Sequence, residues 1–274
     1  MKKIISLILA VVMLFAVCAL AACGGNEDDN KTNSTPASQT ASTEEKTEIT
    51  TVTPGKLTMA TNAYFQPYEF YEGDKIVGID AEIAEAIAKK LGLELVISDM
   101  AFDSIITAVN QGSADFGLAG MTVTPDRLKE VDFSISYAKG VQSIIVKEGS
   151  KITSYDDLAA DGATYKIGVQ LGTTGDIYAS DEFGDRVNSF TTGNEAVNAL
   201  IGGDVDCVII GNEPAKAFVA NNTGLKILET SDADEDYAAC IKKGNTALKK
   251  AIDDAIVALI ADGTIKSIVD KYIK

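Results

Sequence analysis

Two runs in this chain share one plan, and that repetition constrains the fold more than anything else in the sequence. Gly112-Ser-Ala-Asp115-Phe-Gly-Leu-Ala-Gly120 can be laid over Gly203-Asp-Val-Asp206-Cys-Val-Ile-Ile-Gly211, with glycine, aspartate and glycine at the same spacing. Each reads as a helix end, a turn, a buried strand and a glycine at the strand's carboxyl end. Strands buried on both faces need helices packed over them, so two such units predict two α/β lobes. In open α/β sheets ligands bind outside the carboxyl ends of the strands. Two lobes facing each other there enclose a cleft.

The segments around these runs alternate as that plan requires. Residues 57–61 read as a strand, followed by an aromatic loop through Phe70. Asp80 is expected to cap a helix whose Ile83, Ile87 and Leu91 recur every four positions, with Gly92 ending it. Residues 93–97 form the next strand, and Asp103 caps a helix carrying Ile105, Ile106 and Val109 up to Gly112. Residues 115–119 are then a strand. A second series follows: 143–147 reads as a crossover strand, 166–169 opens another βαβ unit, and 237–242 returns to the first lobe ahead of helices spanning 248–272. The acidic run Asp232-Ala-Asp-Glu-Asp236 reads as a solvated loop.

Chemistry concentrates in Leu118-Ala-Gly-Met-Thr-Val-Thr-Pro-Asp-Arg127. Ala119 and Gly120 let another molecule approach the backbone, and Thr122 adds a hydroxyl. Thr124 suits a helix N-cap and Pro125 the first helical position. Arg127 breaks the pattern, because a cation in the first turn opposes the helix dipole. Either it pairs with Asp126 or Glu130 on the surface, or it grips a ligand carboxylate with its planar fork.

The run AGMTVTPDRLKEVDFSISY resembles the signature segment of the polar amino-acid substrate-binding proteins of bacterial ABC importers. ATNAYFQPYEF, GIDAEIAEAIAKKLG, FDSIITAVNQG and the terminal DGTIKSIVDKYIK match family segments in the same order, so the resemblance covers residues 56–274. It implies the bilobed periplasmic-binding-protein-like fold: 56–138 with 237–274 as lobe 1, 139–236 as lobe 2, and crossover strands near 137–143 and 236–241. It also implies that Arg127 holds the ligand's α-carboxylate, that Ala119, Gly120 and Thr122 line the site, and that Asn62, Phe65 and Phe102 contact the ligand, although as isolated aromatics the two phenylalanines read first as core. In the second lobe, Gln170-Leu-Gly-Thr173-Thr174 resembles the loop that completes the carboxylate site. An ordinary strand-to-helix turn capped by threonine fits the same residues.

Two positions depart from the family. An acid is frequent where Asn62 stands, and an Asp that pairs with the ligand's α-ammonium is usual where Gly211 stands. Asn212 and Glu213 follow Gly211, and Glu213 is the nearby charged replacement. Either Glu213, helped by Asn212, binds the ammonium of an α-amino acid, or the ligand carries no ammonium.

The amino terminus reads differently from the body. Met1-Lys2-Lys3 followed by an apolar run to Leu20 has the layout of a signal peptide, expected over residues 1–22. Leu20-Ala21-Ala22-Cys23 resembles a lipobox, which makes Cys23 the lipidation site. Residues 23–55 are then the lipidated cysteine and a polar tether, spanning roughly 30 Å by random-coil scaling. The expected location is the outer face of the cell membrane.

A net charge of −16 argues against a nucleic-acid partner. The chain has no histidine, which removes the usual general base and the commonest metal ligand, so no metal and no cofactor are expected. Cys207 and Cys240, each in an apolar run, are expected as buried free thiols. The function implied is capture of a small polar amino acid by a monomer that delivers it to permease subunits. The alternative is an extracellular dehydratase or lyase on the same fold, with Glu213 or Glu69 as its acid or base.

Overall fold

The computed structural model describes residues 49–228 and 235–273. The signal segment, Cys23, nearly all of the expected tether and residues 232–234 of the acidic run lie outside the described residues. Two five-stranded mixed sheets organise the rest. The first runs Glu94–Asp99, Lys56–Thr61, Phe116–Gly117, Cys240–Lys242, Val131–Phe133. The second runs Val187–Phe190, Ile167–Gln170, Cys207–Gly211, Gln142–Lys147, Leu225–Leu228. In each sheet the first three strands are parallel, the fourth runs against them, and the fifth runs against the fourth. The chain passes between the sheets twice, through Ala138–Gly140 and Glu235–Tyr237, which pair antiparallel. This is the two-lobed α/β fold with two crossover strands.

Apolar spacing decides which helix faces turn inward. In the helix Ile79–Leu91, Ile79, Ile83 and Ile87 are fully buried against Leu57, Met59 and Phe116 of the first sheet. Each buried aliphatic side chain contributes roughly 1.5–3 kcal/mol. Gly92 closes the helix in the left-handed conformation, its N–H reaching the carbonyls of Ala88 and Lys89. The second lobe has its own core around Ile144, Val146, Ile167, Val169 and Cys207. Cys207 and Cys240 are free and buried, and burial pushes both thiols up to about 12.

The two matched runs do the same mechanical work. Gly112 and Gly203 both end helices in the left-handed region. Three residues on, Asp115 accepts from the Thr58 amide at 2.7 Å and Asp206 from the Lys166 amide at 2.8 Å. In each lobe the aspartate pins the start of the neighbouring parallel strand.

Local expectations fail in instructive places. Gly78, not Asp80, sits at the N-cap of the first helix, and Asp80 is fully buried within the first turn, bonded to Gly120 and Tyr137 of other segments. Asp103 lies inside a short 3-10 turn, Phe102–Ser104, that precedes the helix Ile105–Gln111. Gln142–Lys147 is an interior strand of the second sheet, so the first crossover is the segment just before it. Residues 237–242 divide into two strands, because Ala238 and Ala239 turn the chain from crossover to sheet. The aromatic loop is a small three-stranded sheet, Tyr64–Phe65, Glu69–Glu72 and Lys75–Val77.

Candidate functional site

The strand ends of the two sheets meet at a cavity. From the first lobe Asn62, Phe65, Phe102, Ala119, Gly120, Thr122 and Arg127 line it. Gln170, Thr173, Thr174 and Gly211 line it from the second. Sequence reasoning named all of these. Glu69, which the sequence offers only as the acid or base of an enzyme, lines it as well, and so do Gln142, Ile210, Glu235 and Tyr237, which the sequence does not single out.

Arg127 commands one end. The Thr124 hydroxyl accepts from the Arg127 amide at 3.2 Å and the Thr124 carbonyl from the Leu128 amide at 2.9 Å, so Thr124 caps this turn as its sequence suggests. The helix proper is only Arg127–Glu130. The Arg127 side chain leaves the surface rather than pairing there, and the residue is 7% exposed. Its Nη1 donates to the Thr122 carbonyl at 2.7 Å, and Nη2 donates across the cleft to the Gly172 carbonyl at 2.9 Å. Its guanidinium carbon stands 5.4 Å from the centre of the Phe102 ring, within reach of cation–π attraction. Two of the fork's five N–H groups are thereby fixed, and the others remain to meet an anion. Burial lowers the Arg127 pKa, and Glu235 is among the groups that push back.

The backbone at this end is held from beneath. Asp80 accepts from the Gly120 amide at 2.7 Å and from the Tyr137 hydroxyl at 2.8 Å. Gly120 has φ +51°, and the Phe65 ring would lie 2.8 Å from any Cβ there. A side chain at this position is therefore excluded twice, by conformation and by contact. Glu69, also fully buried, lies beside Asp80, and desolvation together with that neighbouring charge raises its pKa well above the ordinary value. Asp80 itself rises to about 6, chiefly through burial.

In the second lobe the two threonines divide the work. Thr173 caps the helix Thr174–Phe183, its hydroxyl accepting from the Asp176 amide at 3.2 Å. Thr174 is left to face the cavity, where Gln142 donates to its hydroxyl at 3.1 Å. Asn62 bridges the lobes: its Nδ2 donates to the Met100 carbonyl at 2.8 Å, and its oxygen accepts from Gln170 Nε2 at 2.9 Å. An acid at Asn62 could make only the second of these bonds.

The far end departs from the sequence reading. Asn212 and Glu213 do not line the cavity. They open the helix Asn212–Asn221, which carries them to the other side of the strand end. Asn212 Nδ2 donates to the Ser143 hydroxyl at 2.7 Å, and Glu213 pairs with Lys216 at 2.7 Å over a separate, shallower hollow. At this end the carboxyl that does reach the cavity is Glu235, 3% exposed, while Glu69 lines it beside Asp80. In the sequence Glu235 belongs to an acidic run that reads as a solvated loop. The strand alternation shows the signal that was missed: Glu235 and Tyr237 point in, while Asp236 between them is exposed and pairs with Lys139 at 3.5 Å.

Known proteins bear on this geometry. Residues 57–274 match the profile of the bacterial extracellular solute-binding proteins, family 3. The arginine-binding extracellular protein ArtP of Bacillus subtilis is 31% identical over 99% of this chain and 98% of its own. The glutamine-binding protein GlnH of the same organism is 31% identical over 100% and 98%. An ancestral arginine-binding protein solved with glutamine superposes at a TM-score of 0.76, with 38% identity over 81% of this chain and 99% of that one. These relatives are binding proteins rather than enzymes, and with the family match covering both lobes, the chain belongs to the bacterial extracellular solute-binding proteins of family 3.

Proposed function

We propose that this protein captures a polar L-amino acid in the cavity and presents it to the permease subunits of an ABC importer. The observation that carries this reading is Arg127, a buried guanidinium already bonded to a carbonyl of each lobe, with the rest of its fork available to a carboxylate. Arginine, glutamine and histidine, named for relatives of this chain, head the candidates. Thr122, Thr174 and the backbone at Ala119 and Gly120 complete the carboxylate pocket, while Phe65 and Phe102 flank the ligand. The lobes, residues 56–138 with 237–274 and residues 139–236, close through the contacts of Arg127 with Gly172 and Asn62 with Gln170, trapping the ligand by a shift in population.

A thermal-shift screen of the twenty amino acids and small carboxylic acids tests this. A ligand at about a hundred times its Kd raises stability by about 2.7 kcal/mol. A response confined to acids without an α-ammonium overturns the amino-acid reading.

Anchoring through Cys23 belongs to the same proposal. The lipobox and the polar segment after it support a diacylated cysteine that tethers the two lobes to the outer membrane face, where two acyl chains suffice for stable attachment. Among the described residues no helix is long and apolar enough to cross a membrane. Cys23→Ser is expected to release the protein into the medium with ligand binding intact. Retention on the membrane after a high-salt wash overturns the anchor.

A further inference from the structure

We infer that Glu235, on the returning crossover strand, holds the α-ammonium of the bound amino acid. This rests on reading the cavity as an amino-acid site and goes beyond it by assigning the ammonium pole, which the family places at the position of Gly211.

Three observations converge. The first is an accounting of the carboxyls. Glu69 and Glu235 are the acids that line the cavity among the described residues. Both Glu69 oxygens are likewise buried without a partner, but Glu69 lies beside Asp80, and burial with that neighbouring charge raises its pKa well above the ordinary value, which disfavours a second negative charge there. That leaves Glu235. The second is its unfinished bonding. Oε2 accepts from Gln142 Nε2 at 2.9 Å, while Oε1 is buried with no hydrogen-bond partner among the described residues. A buried carboxyl oxygen left so is costly unless a donor meets it, and an ammonium supplies charge and donor together.

The third is position. Gln142 is the cross-strand partner of Gly211, and its amide joins Glu235 to the Thr174 hydroxyl. The Glu235 carboxyl therefore stands next to the strand end from which the family's Asp would project. A Cβ on Gly211 would meet Phe65 Cζ and the Tyr237 hydroxyl, each at 3.3 Å, so aromatic groups crowd the space of the absent side chain. The negative pole has moved from the strand end to the crossover strand. Arg127 and Glu235 both line the cavity and form no ion pair with each other, so the two charges are available to the two poles of a zwitterion. Because Glu235–Tyr237 pairs with Ala138–Gly140 between the lobes, ammonium binding at Glu235 also loads the crossover itself.

The test compares each of L-arginine, L-glutamine and L-histidine with the same acid carrying hydrogen in place of the α-ammonium, by calorimetric titration. Wild-type protein is expected to prefer whichever amino acid it binds by about thirtyfold or more over the des-amino form. Glu235→Gln should bring that ratio close to one. Glu235→Asp, which keeps the charge on a shorter arm, should retain part of it, and this variant serves if the glutamine form does not fold. If wild type binds both forms equally, or Glu235→Gln and Glu235→Asp both keep the full preference, the inference falls while the amino-acid reading stands. If wild type binds the des-amino acids and none of the amino acids, the reading itself fails and the inference with it.

Discussion

The two ends of the cavity were built by different rules. At the Arg127 end most of the first lobe's groups come from one continuous stretch, residues 119–127, fixed largely by local means: a threonine cap, a left-handed glycine, a carbonyl five residues back. At the Glu235 end the groups come from three separate places. Gln142 lies on a strand of the second sheet, Glu235 and Tyr237 on the crossover, and Gly211 at the end of the neighbouring strand. The first end is a motif. The second is an assembly, which exists only when both sheets and the crossover are in register.

The largest effect that separates the two ends is expected from Arg127→Ala. Truncating one side of a buried charge pair costs about 2–5 kcal/mol, so titration should show amino-acid affinity falling by that amount. The des-amino acids should suffer just as much, since they keep the carboxylate. Arg127→Lys should rescue only part, because an ammonium cannot reproduce the planar fork that spans Thr122 and Gly172. Loss confined to the ammonium-bearing ligands would contradict the assignment of poles.

This difference explains what was legible in the sequence. Periodicity placed the helices Ile79–Leu91 and Thr246–Ala261, and the Gly112 and Gly203 runs revealed a doubled plan, because spacing along the chain is what those features consist of. The Arg127 end was legible for the same reason, helped by resemblance to a known family. Asp80 was misread because a carboxylate near a helix start usually caps it, whereas here tertiary contacts to Gly120 and Tyr137 win. Glu235 was misread because its neighbours are acidic, and composition cannot report that one side chain of an alternating strand turns inward. Glu213 looked closer to Gly211 than it is. Two residues along a helix start turn the side chain to a different face.

A smaller effect should come from the support under the Arg127 end. Burial raises Asp80 to about 6, above its ordinary value near 4. Between those values the native protein holds a proton that the unfolded chain has released. The stabilising contribution is therefore full below about pH 4 and is lost as pH rises through about 6. Tyr68, Tyr137 and Tyr237 face the same cluster with phenols that burial keeps neutral, and burial raises the pKa of Glu69 beside them as well. Asp80→Asn removes the titration while keeping an acceptor for the Gly120 amide. Denaturant unfolding should show wild type losing roughly 1–3 kcal/mol relative to this variant between about pH 4 and pH 7. Parallel profiles would mean that Asp80 is charged throughout.

The smallest effect should come from Glu213→Gln, and it sharpens the comparison most. Sequence alone made Glu213 the natural heir to the missing Asp, two residues away and the nearest charge. Its carboxylate instead pairs with Lys216 one helical turn on, with side chains 23% and 56% exposed, outside the cavity. Such a pair contributes about 0–1 kcal/mol to stability, and glutamine can still accept from the lysine. Titration with L-arginine, L-glutamine and L-histidine should therefore find affinities within about 0.5 kcal/mol of wild type, the range of ordinary surface changes. Were Glu213→Gln to weaken amino-acid binding as strongly as Arg127→Ala, the start of the Asn212–Asn221 helix would have to swing into the cleft when ligand binds. The far pole would then be a motif like the near one, a short run of sequence rather than an assembly across the crossover. An unchanged affinity leaves the ammonium to a residue that only the folded crossover brings to the site.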